Sequence, residues 1–314
     1  MLNADQIVET LRRRGELWEP APGLVALRGD VLALRTALER LVADAAAGAS
    51  ASPCDEWATP PALALETLAR ASYFASFPQW LTLAAHLSDD ADALRRVAES
   101  PDPVAAARNA CAPAGAALPP AVCYHVYAAL ADRVLHEPAF VTVQNTCWRH
   151  EGDRLRPLTR GWAFTMREAV CVGDADTVAA FRRRGEQQGL ALATTLGLGA
   201  HLEEATDPFF APTAGGRQLL QRLKGLKREL LLPVGEETVA AASFNHHEQF
   251  FGECFDIRFA MRSSAQSAAG GTPAQSACVA YGVERWLLAF LAEHGIHARG
   301  WPALPTALDR EVYA

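Results

Sequence analysis

Two strand-like stretches around a polar loop restrict this chain more than any other feature. Phe140 to Gln144 reads as a short strand, and two more strand candidates, Asn145 to Arg149 and Trp162 to Val172, flank the loop. The intervening loop, with GDRLRPLTRG at 152–161, is polar and rich in arginine. Strands this close in sequence pair antiparallel, because a parallel partner needs a crossover of a dozen or more residues. Helical periodicity dominates before this hairpin. Leu2, Ile7, Val8 and Leu11 recur at three- and four-residue spacing, as do Leu34, Leu38, Leu41 and Val42 within 31–47. Helices are therefore expected over 1–48 and much of 62–98, with another at 122–135. After the hairpin come helices at 174–189, 218–231 and 281–294, with strands at 239–244 and 254–259. Helices followed by antiparallel strands argue an α+β fold rather than a βαβ series.

Composition narrows the function classes. The chain has 314 residues, is 50% hydrophobic, and carries 36 acidic against 29 basic residues for a formal charge of −7. General nucleic-acid binding needs a basic surface, so any such feature must be local. The only two lysines are Lys224 and Lys227. They lie in GRQLLQRLKGLKRELL, where Arg217, Lys224 and Arg228 would share one face of a helix. That face is either solvated or a dock for an acidic partner. The seven cysteines include no CxxC pair, the start is polar where a signal peptide would be apolar, and no run has the roughly 18 apolar residues of a membrane span. A cytoplasmic protein with reduced thiols and no membrane contact is the expectation.

Three further groupings carry potential chemistry. Arg149-His150-Glu151, with Arg160 across the loop, can clamp phosphate or carboxylate oxygens, or can be a solvated set of ion pairs. Phe164, Met166 and Glu168 share one side of their strand, since strand side chains alternate. Gly282-Val283-Glu284-Arg285 opens an apolar helix, a common place for a nucleotide contact and equally for a structural salt bridge. Cys123 and Cys278 read locally as core thiols.

ArgHisGlu, the loop, and then ArgGlyTrpAlaPheThrMetArgGlu resemble motif 2 of class II aminoacyl-tRNA synthetases, and 282–285 resembles the end of their motif 3. Residues 72–80 (SYFASFPQW), Cys123-Tyr-His, the basic segment, 243–252 (SFNHHEQFFG) and 276–282 (SACVAYG) resemble one subgroup. This is the amino acid:carrier protein ligases, homologous to the catalytic core of atypical seryl-tRNA synthetases. The resemblance runs from about residue 72 to 295. It implies a class II antiparallel sheet flanked by helices, with residues 1–60 as an N-terminal helical segment. Residues 61–314 would form the catalytic domain, with a basic helix inserted at about 214–231 and no tRNA-binding domain.

The resemblance also implies ATP-dependent activation of a small amino acid, glycine or alanine, and transfer to the phosphopantetheine thiol of an acyl carrier protein. Cys123, Glu168 and Cys278 would hold Zn²⁺. Arg149 and Arg285 would be catalytic, and Arg149, Glu151, Arg160, Gly161, Phe164, Lys227 and Arg285 would bind ATP. Glu168, Ala242, Ser243 and Phe244 would contact the amino acid, and Arg217, Lys224 and Arg228 the carrier. A homodimer is implied as well. The acidic Mg²⁺ ligand usual before Asn245 is replaced by Ala240 to Ala242, which leaves Glu236 or Glu237 as the nearest candidates. A tRNA-charging enzyme and a non-catalytic amino-acid-binding paralogue are the alternatives.

Overall fold

The protein is described from a computed structural model covering residues 1–210, 221, 224–260 and 270–308. Helix α1 (Ala4–Arg13) starts at a capping box, with Asn3 and Gln6 each bonding the other's backbone N–H. Its Ile7, Val8 and Leu11 are buried. A hairpin of β1 (Leu17–Ala21) and β2 (Leu24–Leu27) interrupts the helical run expected over 1–48, and α2 (Gly29–Gly48) follows. Strand β3 (Asp55–Trp57) leads to β4 (Leu63–Ala64), α3 (Leu65–Arg70) and α4 (Tyr73–Ser76).

Part of the helix expected over 62–98 is a strand. β5 (Thr82–Leu87) pairs with β6 (Cys111–Leu118) around helices α5 (Ala91–Glu99) and α6 (Pro103–Asn109), and β4 completes this small sheet. Pairing with β6 outweighs local propensity there. Helix α7 (Cys123–Leu130) and β7 (Val134–Leu135) then precede the long hairpin of β8 (Ala139–Trp148) and β9 (Ala163–Gly173).

Helix α8 (Ala175–Thr195) is capped by Asp174, which accepts from the Thr177 N–H. β10 (His201–Glu204), β11 (Lys227–Val234) and β12 (Glu237–Glu248) follow, then α9 (Phe250–Cys254), β13 (Arg258–Phe259), β14 (Thr272–Pro273), β15 (Gln275–Gly282) and α10 (Val283–His294). Of the helix expected over 218–231, residues 218–220, 222 and 223 lie outside the described residues, 224 and 225 form a turn, and from 227 onward the chain is β11. Leu230, Leu232 and Val234 alternate into the core, which is a strand's period. Residues 254–259 are likewise the end of α9 and the short β13, not one strand.

The main sheet runs β10-β11-β12-β15-β9-β8-β3, antiparallel throughout except for the parallel β3–β8 pair. Each face buries a separate apolar cluster. The rear cluster packs α1, α2, α8 and α10 against Ala169, Cys171, Ala277, Val279 and Tyr281. The front cluster packs α3, α7 and α9 against Met166, Val170, Cys278 and Ala280. Residues 7–42 thus contribute to the same rear core as the sheet. Glycines let α8 approach closely: a Cβ on Gly185 would collide with Val279 Cγ2, and one on Gly189 would meet Phe244 at 2.9 Å. Among the described residues, no helix is long and apolar enough to cross a membrane.

Candidate active site

Sheet register builds the floor of the site. Glu229, Ser243, Ala280, Glu168 and Val143 are successive partners across β11, β12, β15, β9 and β8. The adjacent row is Lys227, Asn245, Cys278, Val170 and Val141. Both rows face forward, so Glu168 and Cys278 are diagonal neighbours. Helix α7 brings Cys123 over them, and its backbone N–H donates to Glu168 Oε2 at 2.6 Å. The ligand atoms of Cys123, Glu168 and Cys278 lie within 4.8 Å of one another, all buried.

Two thiols and a carboxylate suit zinc, and three protein ligands leave a fourth position open. Burial and the nearby Cys278 thiol push the Glu168 carboxyl up to about 8. Of the two thiols Cys278 ionises first: Cys123 hydrogen-bonds to it, His247 Nε2 lies 3.7 Å from its sulfur, and Asn245 Nδ2 donates to it at 3.5 Å. Cys123 is held well above its ordinary value by the same contact and by burial.

These residues border a cavity of about 1090 Å³ that also takes in Arg149, Glu151, Arg160, Gly161, Phe164, Lys227, Ala242, Ser243 and Arg285. Arg149, just past β8, donates through Nε to the Pro120 carbonyl at 2.9 Å. Its guanidinium lies 5.3 Å from the Trp80 ring centre and 5.4 Å from that of Phe164. Glu151 and Arg160 pair at 2.5 Å across the loop. Arg285, in the first turn of α10, donates to the Thr159 carbonyl at 2.8 Å and the Ala240 carbonyl at 2.7 Å. Burial, and then the like charges of Arg149 and Arg160, lower its pKa. Arg149, Arg160 and Arg285 converge on one part of the cavity, where guanidiniums can hold an anion.

The N-terminal residues reach this site. Gly23, at the β1–β2 turn with φ +73°, accepts from the Trp162 N–H at 2.8 Å, and a Cβ there would strike that nitrogen. Arg35 of α2 donates to Thr165 Oγ1 at 2.5 Å and lies 3.5 Å from Glu284, whose other oxygen accepts from the Thr165 N–H. Glu284 precedes Arg285, so this cluster fixes the turn that carries the arginine.

Three expectations are corrected. Phe244 faces the rear core, edge-on to Tyr281 at 6.5 Å, because it neighbours the forward-facing Ser243 on an alternating strand. Arg228 faces rearward too, paired with Glu186 of α8 at 2.7 Å, so it shares no helix face with Lys224. Lys224 pairs instead with Glu248 at 2.9 Å, and Arg217 lies outside the described residues. Glu236 and Glu237 sit exposed at the β11–β12 turn away from the cavity, whereas Glu229 borders it.

Sequence reasoning misses Asp207, Asn245, His247 and Arg35. Asp207 accepts from Lys227 Nζ at 2.7 Å, and Glu229 lies 3.0 Å from the same nitrogen. The forward alternation of Lys227, Glu229 and Asn245 is a usable signal once β11 and β12 are known as strands. Asp207 lies in an irregular segment and has no periodic signature.

No family model matches the chain. Amino acid–acyl-carrier-protein ligase 1 of Bradyrhizobium diazoefficiens is 32% identical over 248 residues, 78% of this chain and 73% of that protein. Ligase 2 of the same organism is 34% identical over 247 residues, 77% and 71% respectively. A type-2 serine–tRNA ligase of Methanopyrus kandleri is 26% identical over 204 residues, 60% of this chain and 36% of its own length. In structure, the M. kandleri seryl-tRNA synthetase solved with Aquifex aeolicus tRNASec superposes with a TM-score of 0.79 at 22% identity. That match covers 95% of this chain and 58% of the synthetase. The Naegleria fowleri cytoplasmic serine–tRNA ligase solved with AMP gives 0.67 at 13% identity, covering 93% of this chain and 62% of that one. The class II synthetase fold is thereby established.

Proposed function

The chain belongs to the amino acid–acyl-carrier-protein ligase family, and we propose that it activates a small amino acid with ATP and passes it to the phosphopantetheine thiol of a carrier protein. The observation that carries this reading is the meeting, in one cavity, of the Cys123–Glu168–Cys278 cluster with Arg149, Phe164 and Arg285. Cys123, Glu168 and Cys278 would hold Zn²⁺, which when bound supplies a Lewis-acid position for the substrate's amino group.

ATP enters as its Mg²⁺ complex. The substrate carboxylate attacks the α-phosphorus, an O–P bond forms, and the bond to pyrophosphate breaks. The nucleophile is already anionic, so positioning and charge neutralisation supply the catalysis. Arg149 holds the α-phosphate, and Arg285 covers the nucleotide opposite Phe164. Glu151, Arg160 and Gly161 line the base side. Lys227, aimed by Asp207, reaches the nucleotide. In the second step the carrier's thiolate sulfur attacks the adenylate carbonyl and AMP leaves.

Ser243 and Ala280 lie between Glu168 and Glu229 on the floor, and these short side chains suit glycine or alanine. Arg217 and Lys224 contribute to carrier docking, without Arg228. We include in this reading a cytoplasmic homodimer that does not charge tRNA.

The test is amino-acid-dependent ATP–pyrophosphate exchange across the twenty amino acids, followed by mass spectrometry of a phosphopantetheinylated carrier. Exchange with glycine or alanine and a matching mass gain on the carrier are expected. Charging of tRNA, or silence with every amino acid, would contradict the reading.

A further inference from the structure

The segment 72–80 buries two hydrogen-bonding groups that no described residue pairs with. Four buried side-chain polar atoms lack a partner among the described residues: Glu16 Oε2, His125 Nε2, Tyr73 Oη and Trp80 Nε1. The first two belong to residues away from the cavity, and the last two to residues that border it together with Arg149 and Cys123. Tyr73 is only 2% exposed. Its ring is well packed, edge-on to Tyr124 at 5.8 Å and tilted against Phe77 at 5.7 Å. Trp80 stacks on Phe77 at 5.4 Å with planes 7° apart, and Arg149 lies over it. Apolar contact accounts for both rings and leaves both polar tips unexplained.

An unmade hydrogen bond in a buried site costs stability, and native proteins seldom keep one without a use. The backbone adds a second sign of constraint. Ser72 holds φ +54° and ψ 26°, a left-handed conformation that non-glycine residues adopt only where their surroundings impose it. It sets the direction in which Tyr73 enters the site. The indole N–H donates only, so its partner must be an acceptor. Burial holds the phenol protonated, with Arg149 acting in the opposite direction, so it is a donor at neutral pH.

We propose that Tyr73 Oη and Trp80 Nε1 donate hydrogen bonds to the anionic phosphate of the aminoacyl adenylate beside Arg149. This rests on the adenylation reading above, in which Arg149 takes the α-phosphate. Arginine supplies the charge. The two neutral donors fix the orientation of the phosphate and keep the activated intermediate in place until the carrier thiol arrives. Neither group changes charge during the reaction, so both act as binding donors and not as general acids.

The test compares wild type, Tyr73→Phe and Trp80→Phe. Each variant keeps an aromatic ring and removes the donor. Measurements are pyrophosphate exchange, bound metal, thermal stability of the free protein, and the thermal shift caused by the non-hydrolysable sulfamoyl-adenosine analogue of whichever amino acid supports exchange. The loss of a hydrogen bond to a charged group is expected to lower kcat/KM about ten- to hundredfold. The analogue's shift should shrink, metal content should stay the same, and free Tyr73→Phe should melt no lower than wild type. A purely structural hydroxyl would give the reverse: a lower melting temperature with the analogue's shift intact. Active wild type alongside variants within twofold of it overturns this assignment alone. Wild type silent with all twenty amino acids overturns the adenylation reading, and this assignment with it.

Discussion

Cys171 and Cys278 lie on neighbouring strands of one sheet, both buried, and the protein treats them in opposite ways. Cys171 of β9 faces the rear, inside an apolar cluster, where burial pushes its thiol up to about 12. Cys278 of β15 faces forward, where Cys123, His247 and Asn245 hold it well below the ordinary thiol value. Burial alone therefore does not decide what a cysteine does. The difference comes from one step of strand alternation, which turns one thiol toward helices packed on apolar side chains and the other toward a polar cavity. The same contrast separates the two faces as wholes. The rear is an apolar layer closed by α1, α2, α8 and α10, while the front gives part of its packing to charged groups.

Phe244→Ala should have the largest effect on the rear face. Phe244 is fully buried at the rear, so truncation should cost about 3–5 kcal/mol of stability. Exchange per folded molecule should remain within twofold. Denaturant titration beside an activity assay separates the two quantities. Arg149→Ala, on the front, should do the opposite. It is expected to lower exchange by about 10²–10³-fold, the usual loss for removal of a preorganised charge donor, with little change in the denaturation midpoint.

Gly185→Ala tests how tightly the rear layer is closed. Its new methyl would press on Val279, and the resulting displacement should cost about 1–3 kcal/mol in chemical denaturation. The smallest effect concerns pH. Burial disfavours the Asp207 carboxylate, but Lys227 overrides this and keeps its pKa below the usual range. A depressed carboxyl contributes stability above its unfolded pKa and loses it as pH falls through the folded value. Melting temperatures of wild type and Asp207→Asn should therefore keep a constant gap above the ordinary carboxylate value of about 4 and converge as pH falls below it.

Much of the front is legible in the sequence. Alternation places Phe164, Met166 and Glu168 on one side of β9, and all three border the cavity. The resemblance brings Cys123 and Cys278 to Glu168 across long stretches of sequence, which no local spacing could do. Assignment of Phe244 to the amino acid fails because consecutive strand residues face opposite ways, and the chosen face depends on register. A helix over β11 fails for a related reason. Basic residues spaced for a helix face mask the alternation of Leu230, Leu232 and Val234. Asp207 and Arg35 are invisible in the sequence because their roles depend on partners 20 and 249 residues away, Lys227 and Glu284.

In the proposed function the forward thiol, Cys278, belongs to a metal-bearing adenylation site and the rear thiol, Cys171, to the core. Zinc content and amino-acid-dependent pyrophosphate exchange measured together on wild type, Cys278→Ala and Cys171→Ala test it most directly. About one zinc per chain is expected in wild type and in Cys171→Ala. In Cys278→Ala both metal and exchange should fall by about 100-fold or more. Equal metal and equal exchange in the two variants would contradict it.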